Sequence, residues 1–181
     1  MGRSSQTDMA VLGALSIEPM TGYALREAIR NVLGHFWSES FGQIYPALAG
    51  LEADGHVTRQ GSTRPGSSTF TITASGRRRL RELLSQPIQP VPPRNGLLIR
   101  LFFGHTLGVE ACRSLIMQAR EQAAQQLREY EALAAQTAGE PQYADAAPFW
   151  QLTISAGRHS AQAAIAWADE SLAALDAVPS A

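Results

Sequence analysis

Four histidines, one cysteine and sixteen acidic residues could serve catalysis or metal binding, but their arrangement argues against both. His35, His56, His105 and His159 stand far apart with no metal-ligand spacing, and the chain has no P-loop, no G-x-G-x-x-G and no G-x-S-x-G. Folding could bring His105 and His159 together, yet no catalytic residue, metal site or cofactor is expected. Side chains suited to recognition gather instead in one stretch, "FWSESFGQIYPALAGLEADGHV", Phe36 to Val57. Gln43 carries an amide that can pair bidentately with an adenine edge; the bland alternative is a solvated glutamine. Tyr45 can turn its hydroxyl to a phosphate, or lie partly buried in a core. Ser38 and Ser40 are helix caps first, and a helix N-terminus with free N–H groups and hydroxyls also binds phosphate. Outside the stretch, Tyr23 could touch a flanking nucleic-acid backbone, with packing as its alternative. Arg64, at a turn, could enter a narrow minor groove or pair with phosphates, or remain a solvated charge.

Positioning those residues takes three helices, a hairpin and a fourth helix. Asp8 to Ile17 sets Met9, Leu12 and Leu15 at helical spacing and stops before Pro19. Thr21 is a plausible cap for a second helix, with Leu25, Ile29, Val32 and Leu33 on one face, ended by Gly34. The third helix starts at Ser38 or Ser40, turns Ile44, Leu48 and Leu51 inward, and closes at Gly55. Pro46 lies inside it, where the missing N–H costs a bond to Gly42, so the helix either starts late or bends. The runs "HVTRQGST" and "STFTIT", separated by "RPGS", form a β-hairpin. Thr73 then caps "ASGRRRLRELLSQ", with Leu80, Leu83 and Leu84 facing inward. Arg77, Arg78 and Arg79 point in three directions and read mainly as solvated surface, and Phe36, Trp37 and Phe41 as packing aromatics.

The segment "SQPIQPVPPRNG", Ser85 to Gly96, holds four of the ten prolines and divides the chain into a domain over 1–85, a linker over 86–96 and a domain over 97–181. Beyond it the pattern is helical throughout. A short apolar helix over Leu97 to His105 precedes a long one, Val109 to Gln136, with Cys112, Ile116, Ala119, Ala123, Leu127, Tyr130 and Ala134 in steps of four and three. A last helix, Ala146 to Val178, repeats the device with Trp150, Ile154, Ala161, Ile165, Ala168, Leu172 and Leu175. Two long helices on a short turn form an antiparallel hairpin with little core of its own. A second copy of the chain is therefore expected to cover its apolar face; the alternative is a monomer folded onto its own N-terminal domain.

Composition bounds the reading without deciding it. At 45% hydrophobic and 17% charged residues the chain is too apolar for disorder. No apolar run approaches the roughly 20 residues that span a bilayer, and a lone Cys112 suits a reducing cytoplasm. The net charge of −1 hides nine arginines against seven acids in residues 1–86 and six against nine in 87–181, with no lysine anywhere. That mild basicity permits contact with a polyanion.

Helix, helix, helix, hairpin, helix is the order of a winged helix-turn-helix. The expected fold is mainly α with a small β-hairpin wing, followed by a long α-helical hairpin. Order alone leaves open a winged-helix protein-interaction module that never meets DNA. The blocks "VLGALSIEPMTGYALREAI", "FWSESFGQIYPALAGLEADGHV" and "STFTITASGRRRL", however, closely resemble the PadR family of transcriptional regulators. Together "GYAL", "GQIYPAL", "LEADG" and "TITASG" are far more specific than any one piece, and they cover most of residues 11–80. The second half resembles the larger PadR C-terminal domain by length and helix pattern. The resemblance implies a homodimeric regulator, usually a repressor, on an inverted-repeat operator in double-stranded DNA, often released by a small aromatic or hydrophobic effector. Ser38, Ser40, Gln43, Tyr45, Arg64 and Tyr23 then become the DNA-contact set. Trp150 and Trp167 become candidates for an effector pocket, with a dimer core as their alternative.

Overall fold

Side-chain caps and one left-handed glycine fix most element boundaries in the first half of the chain. The computed structural model describes residues 3–34, 36–37, 41–61, 68–88, 94–137 and 143–178, and the chain divides into two units, Met1–Val91 and Pro92–Ala181. The first holds α1 (Arg3–Ile17), β1 (Met20–Thr21), α2 (Gly22–Ala28) running on as a π-helical turn at Ile29–Leu33, α3 (Phe41–Ala53), β2 (Val57–Gln60), β3 (Thr69–Ile72) and α4 (Ala74–Leu84). Thr21 Oγ1 accepts from the Ala24 N–H at 3.1 Å and Thr73 Oγ1 from the Gly76 N–H at 3.0 Å, satisfying donors that a helix start leaves free. Helix α3 ends with Gly55 at φ +72°. There the His56 N–H donates to the Leu51 carbonyl at 2.8 Å and the Gly55 N–H to that of Glu52 at 3.1 Å, a closure that glycine permits without strain.

Strands β2 and β3 pair antiparallel, Val57 opposite Ile72 and Gln60 opposite Thr69. Strand β1 adds to the other edge of β3 with Met20 opposite Phe70, giving the order β1-β3-β2. Two residues are too few to show alternation, so the sequence pattern reveals only the hairpin. The core joins Val11, Leu12 and Leu15 of α1 to Leu25, Ile44, Leu48, Leu51, Val57, Ile72 and Leu83. Trp37 and Leu80 pack against it. Leu84 does not face inward as expected: it is 62% exposed beside a fully buried Leu83, one residue and about 100° further round the last turn of α4. Phe36 is likewise exposed.

The second unit holds α5 (Gly96–Phe102), α6 (Gly104–Leu107), α7 (Val109–Thr137) and α8 (Ala147–Asp176). Asn95 caps α5, its Oδ1 accepting from the Leu97 and Leu98 N–H groups at 2.9 and 3.0 Å. The single helix expected over Leu97 to His105 is broken at Phe103. Behind the break, a Cβ on Gly104 would stand 2.8 Å from Cys112 Sγ. Helices α7 and α8 lie antiparallel: Arg113 pairs with Asp176 at 2.7 Å, Arg120 with Asp169 at 2.6 Å, and Gln151 Nε2 donates to Thr137 Oγ1 at 2.9 Å. The Arg120 guanidinium holds the Asp169 carboxyl below the usual carboxylate range, but such exposed pairs set register more than stability. The seam itself buries Cys112, Ile116, Ala123 and Tyr130 with Ile154, Ala161 and Ala168.

Gly157 is part of this seam for want of a side chain. A Cβ there would stand 2.1 Å from Tyr130 Cζ, so the buried ring rests on bare helix backbone. Burial, and then Glu129, push the Tyr130 phenol pKa up. On propensity alone, glycine to alanine inside a helix stabilises by about 1 kcal/mol. Gly157→Ala should instead destabilise the second unit by about 1–3 kcal/mol through overpacking. In a Tyr130→Ala background the same change should stabilise, which thermal unfolding followed by helical circular dichroism can read.

Candidate nucleic-acid interface

With Ile44, Leu48 and Leu51 buried, the 3.6-residue period turns Gln43, Tyr45, Pro46, Ala49 and Gly50 of α3 outward. The outward face offers one amide, one phenol and small apolar surface; the sole charge between Phe41 and Ala53 is the half-buried Glu52. Small residues at 49 and 50 would let the helix backbone come close to whatever it faces. Pro46 does sit inside α3, where it cannot donate to Gly42; Gly42 is exposed, so water can satisfy that carbonyl.

Three elements meet beside this face. Gly22, buried at the first position of α2, lacks a Cβ that would stand 3.0 Å from Tyr45 Cε1 and 3.8 Å from Phe70 Cε2. Tyr45, 47% exposed, thus lies over the start of α2 with Phe70 of the sheet close by. Phe70 is also covered from the wing: Arg59, directly opposite it in register, holds its guanidinium 5.6 Å from the ring centroid. Tyr23 is 63% exposed, with the Arg26 guanidinium 5.9 Å from its ring centroid.

Gln43 and Tyr45 are therefore both outward on α3, and Tyr23 follows the glycine on which Tyr45 rests. Ser38, Ser40 and Arg64 lie outside the described residues. Arg59 is absent from the expected set. Its signal is a long-range one, since only the strand register sets it against Phe70. Arg77 donates to the Ser16 carbonyl at 3.4 Å and Arg79 pairs with Glu82 at 3.3 Å, so two of the three clustered arginines serve their own fold. In the second unit Trp150 stacks at a tilt on Tyr143, centroids 5.1 Å apart, and Trp167 is half-buried. The helical rise puts these tryptophans about 25 Å apart along α8, so one small molecule on one chain can touch only one of them. Among the described residues no three His, Cys, Asp or Glu side chains group to hold a metal ion, and no helix is long and apolar enough to cross a membrane.

Three helices, a two-strand wing braced by a third short strand, and a following helix define the winged helix-turn-helix class, here joined to a helical-hairpin unit. Residues 11–82 match the Transcriptional regulator PadR-like family and residues 93–176 the Virulence activator alpha C-term family, which together support a PadR family transcriptional regulator. The chain is similar to the Probable transcriptional regulator Rv1176c of Mycobacterium tuberculosis, 26% identical over 180 residues, 92% of this chain and 95% of that one. It is also similar to the Negative transcriptional regulator PadR of Bacillus subtilis, 30% identical over 99 residues, 52% and 54% of the two chains. The crystal structure of Bacillus subtilis PadR in complex with operator DNA matches in fold with a TM-score of 0.75 at 22% identity, over 93% of this chain and 98% of that one. The Vibrio cholerae virulence activator AphA matches at 0.72 and 27%, over 94% and 98%. The protein is a regulator rather than an enzyme.

Proposed function

We propose that the chain is a homodimeric repressor that binds an inverted-repeat operator in double-stranded DNA and is released by a small aromatic or hydrophobic effector. Residues 1–85 bind DNA, 97–181 dimerise and sense the effector, and the proline-rich 86–96 links them. The outward face of α3 carries the reading. It is uncharged, it bears an amide and a phenol, and its small residues permit close approach to base edges. Gln43 reads an adenine; Tyr45, Tyr23, Ser38 and Ser40 meet phosphates; Arg64 and Arg59 bring the wing's positive charge to the backbone.

Bacillus subtilis PadR has been seen with operator DNA and with p-coumaric acid, which supports the DNA and effector assignments; Trp150 or Trp167 would flank the effector. That relative is a negative regulator, which favours repression here, although AphA is an activator. Exposed Leu98, Ile99, Phe102, Phe103, Leu107 and Phe149 leave more apolar surface than a lone protomer usually shows, which supports a dimer. A cytoplasmic address goes with the DNA target.

A salt titration of binding to the DNA upstream of the protein's own gene tests the reading, because phosphate contacts make log affinity fall linearly with log salt. No binding at low salt to that DNA, or to any duplex selected from a random pool, would overturn it in favour of a protein-interaction module. Sedimentation at micromolar concentration should give a dimer, and a monomer there would remove the two-fold part of the proposal.

A further inference from the structure

We propose that Gly22 is a positioning residue for DNA recognition: its missing side chain is the seat that holds the Tyr45 ring against the start of α2. The inference rests on the reading that α3 meets DNA. Backbone conformation does not account for this glycine, because among the described residues only Gly55 and Gly108 have positive φ. Helix propensity does not account for it either, since glycine is a poor helix residue. Space does. A Cβ at Gly22 would stand 3.0 Å from Tyr45 Cε1 and 3.8 Å from Phe70 Cε2, the first at the limit of what packed carbon atoms tolerate. Phe70 is buried beneath Arg59 and cannot retreat, whereas Tyr45 is 47% exposed and can.

A methyl group at position 22 therefore makes the exposed Tyr45 ring give way by a few tenths of an ångström, out of its seat against the start of α2. A side chain held in its bound orientation before binding loses less freedom on contact. Gly22 supplies that preorganisation without itself touching DNA. It also explains why one glycine neighbours both an outward helix residue and the aromatic ring that carries the wing's Arg59.

The test uses the full chain and a duplex selected by the wild type from a random pool, with a random duplex as reference. Gly22→Ala should weaken binding to the selected duplex about tenfold, the scale of one lost polar contact, and Tyr45→Phe should weaken it similarly. In a Tyr45→Ala background Gly22→Ala should change affinity by less than about twofold, because the clashing ring is gone. If Gly22→Ala lowers the thermal midpoint, the Tyr45→Ala background should restore it. Wild-type affinity in Gly22→Ala, an equal penalty in both backgrounds, or instability that persists without the ring would each overturn the inference alone. A wild type that selects no duplex would overturn the DNA reading itself, and this inference with it.

Discussion

Gly76→Ala should destabilise the N-terminal unit by about 3 kcal/mol or more, enough to lower its thermal midpoint by at least about 12 °C in a domain of this size. Gly76 is the third residue of α4, and its N–H donates to the capping hydroxyl of Thr73 at 3.0 Å. That hydroxyl donates to the Gly55 carbonyl at 2.9 Å, and the Thr73 N–H donates to the His56 carbonyl at 3.0 Å. The start of α4 is thus bolted to the exit of α3. A Cβ on Gly76 would stand 2.1 Å from the His56 carbonyl oxygen and 2.8 Å from Ile72 Cγ1. Backbone cannot swing aside as a side chain can, so α4 must lift, and the cap and the Thr73 bond go with it. Helix propensity argues the other way, for a gain of up to about 1 kcal/mol; the sign of the change therefore separates the two causes. Differential scanning calorimetry of the variant decides it, and a midpoint at or above that of the parent would contradict the close approach.

Local physics explains which of these features the sequence reveals. Thr21 and Thr73 cap through bonds that reach three residues, Gly55 closes α3 within six residues, and Ile44, Leu48 and Leu51 repeat with the helix period. Each is written in a few neighbouring positions. The glycines that matter most to packing are not. Gly22, Gly76 and Gly157 read only as poor helix formers, because the atoms that a side chain there would crowd belong to Tyr45, His56 and Tyr130, far away in sequence. Strand β1 and the Arg59–Phe70 contact are invisible for the same reason: both exist only once β3 is paired on its two edges. Helix α1 begins at Arg3, ahead of the expected Asp8, since "RSSQT" carries no apolar repeat. Within the candidate interface, the outward placement of Gln43 and Tyr45 follows from the period alone. What holds Tyr45 in place does not.

Gln43→Ala should cost about 1–3 kcal/mol for each half-site read through a bidentate amide. A two-fold dimer doubles this to about 2–6 kcal/mol on the selected operator, roughly thirtyfold to more than ten-thousandfold in affinity. Binding to random duplex should hardly change, because phosphate contacts provide nearly all of it and Gln43 carries no charge. The salt slope should therefore stay at its parental value. Arg64→Ala should behave oppositely, weakening binding about equally on every sequence and making the slope of the two-fold dimer shallower by about two, one for each protomer. Competition binding at several salt concentrations reads both quantities in one experiment. A Gln43→Ala protein that keeps its preference while its slope falls would place the amide on the backbone rather than on a base. The separation is unusually clean here because the outward face of α3 has neither lysine nor arginine. Whatever sequence preference that helix confers must come from neutral groups, and whatever salt dependence the protein shows must arise elsewhere.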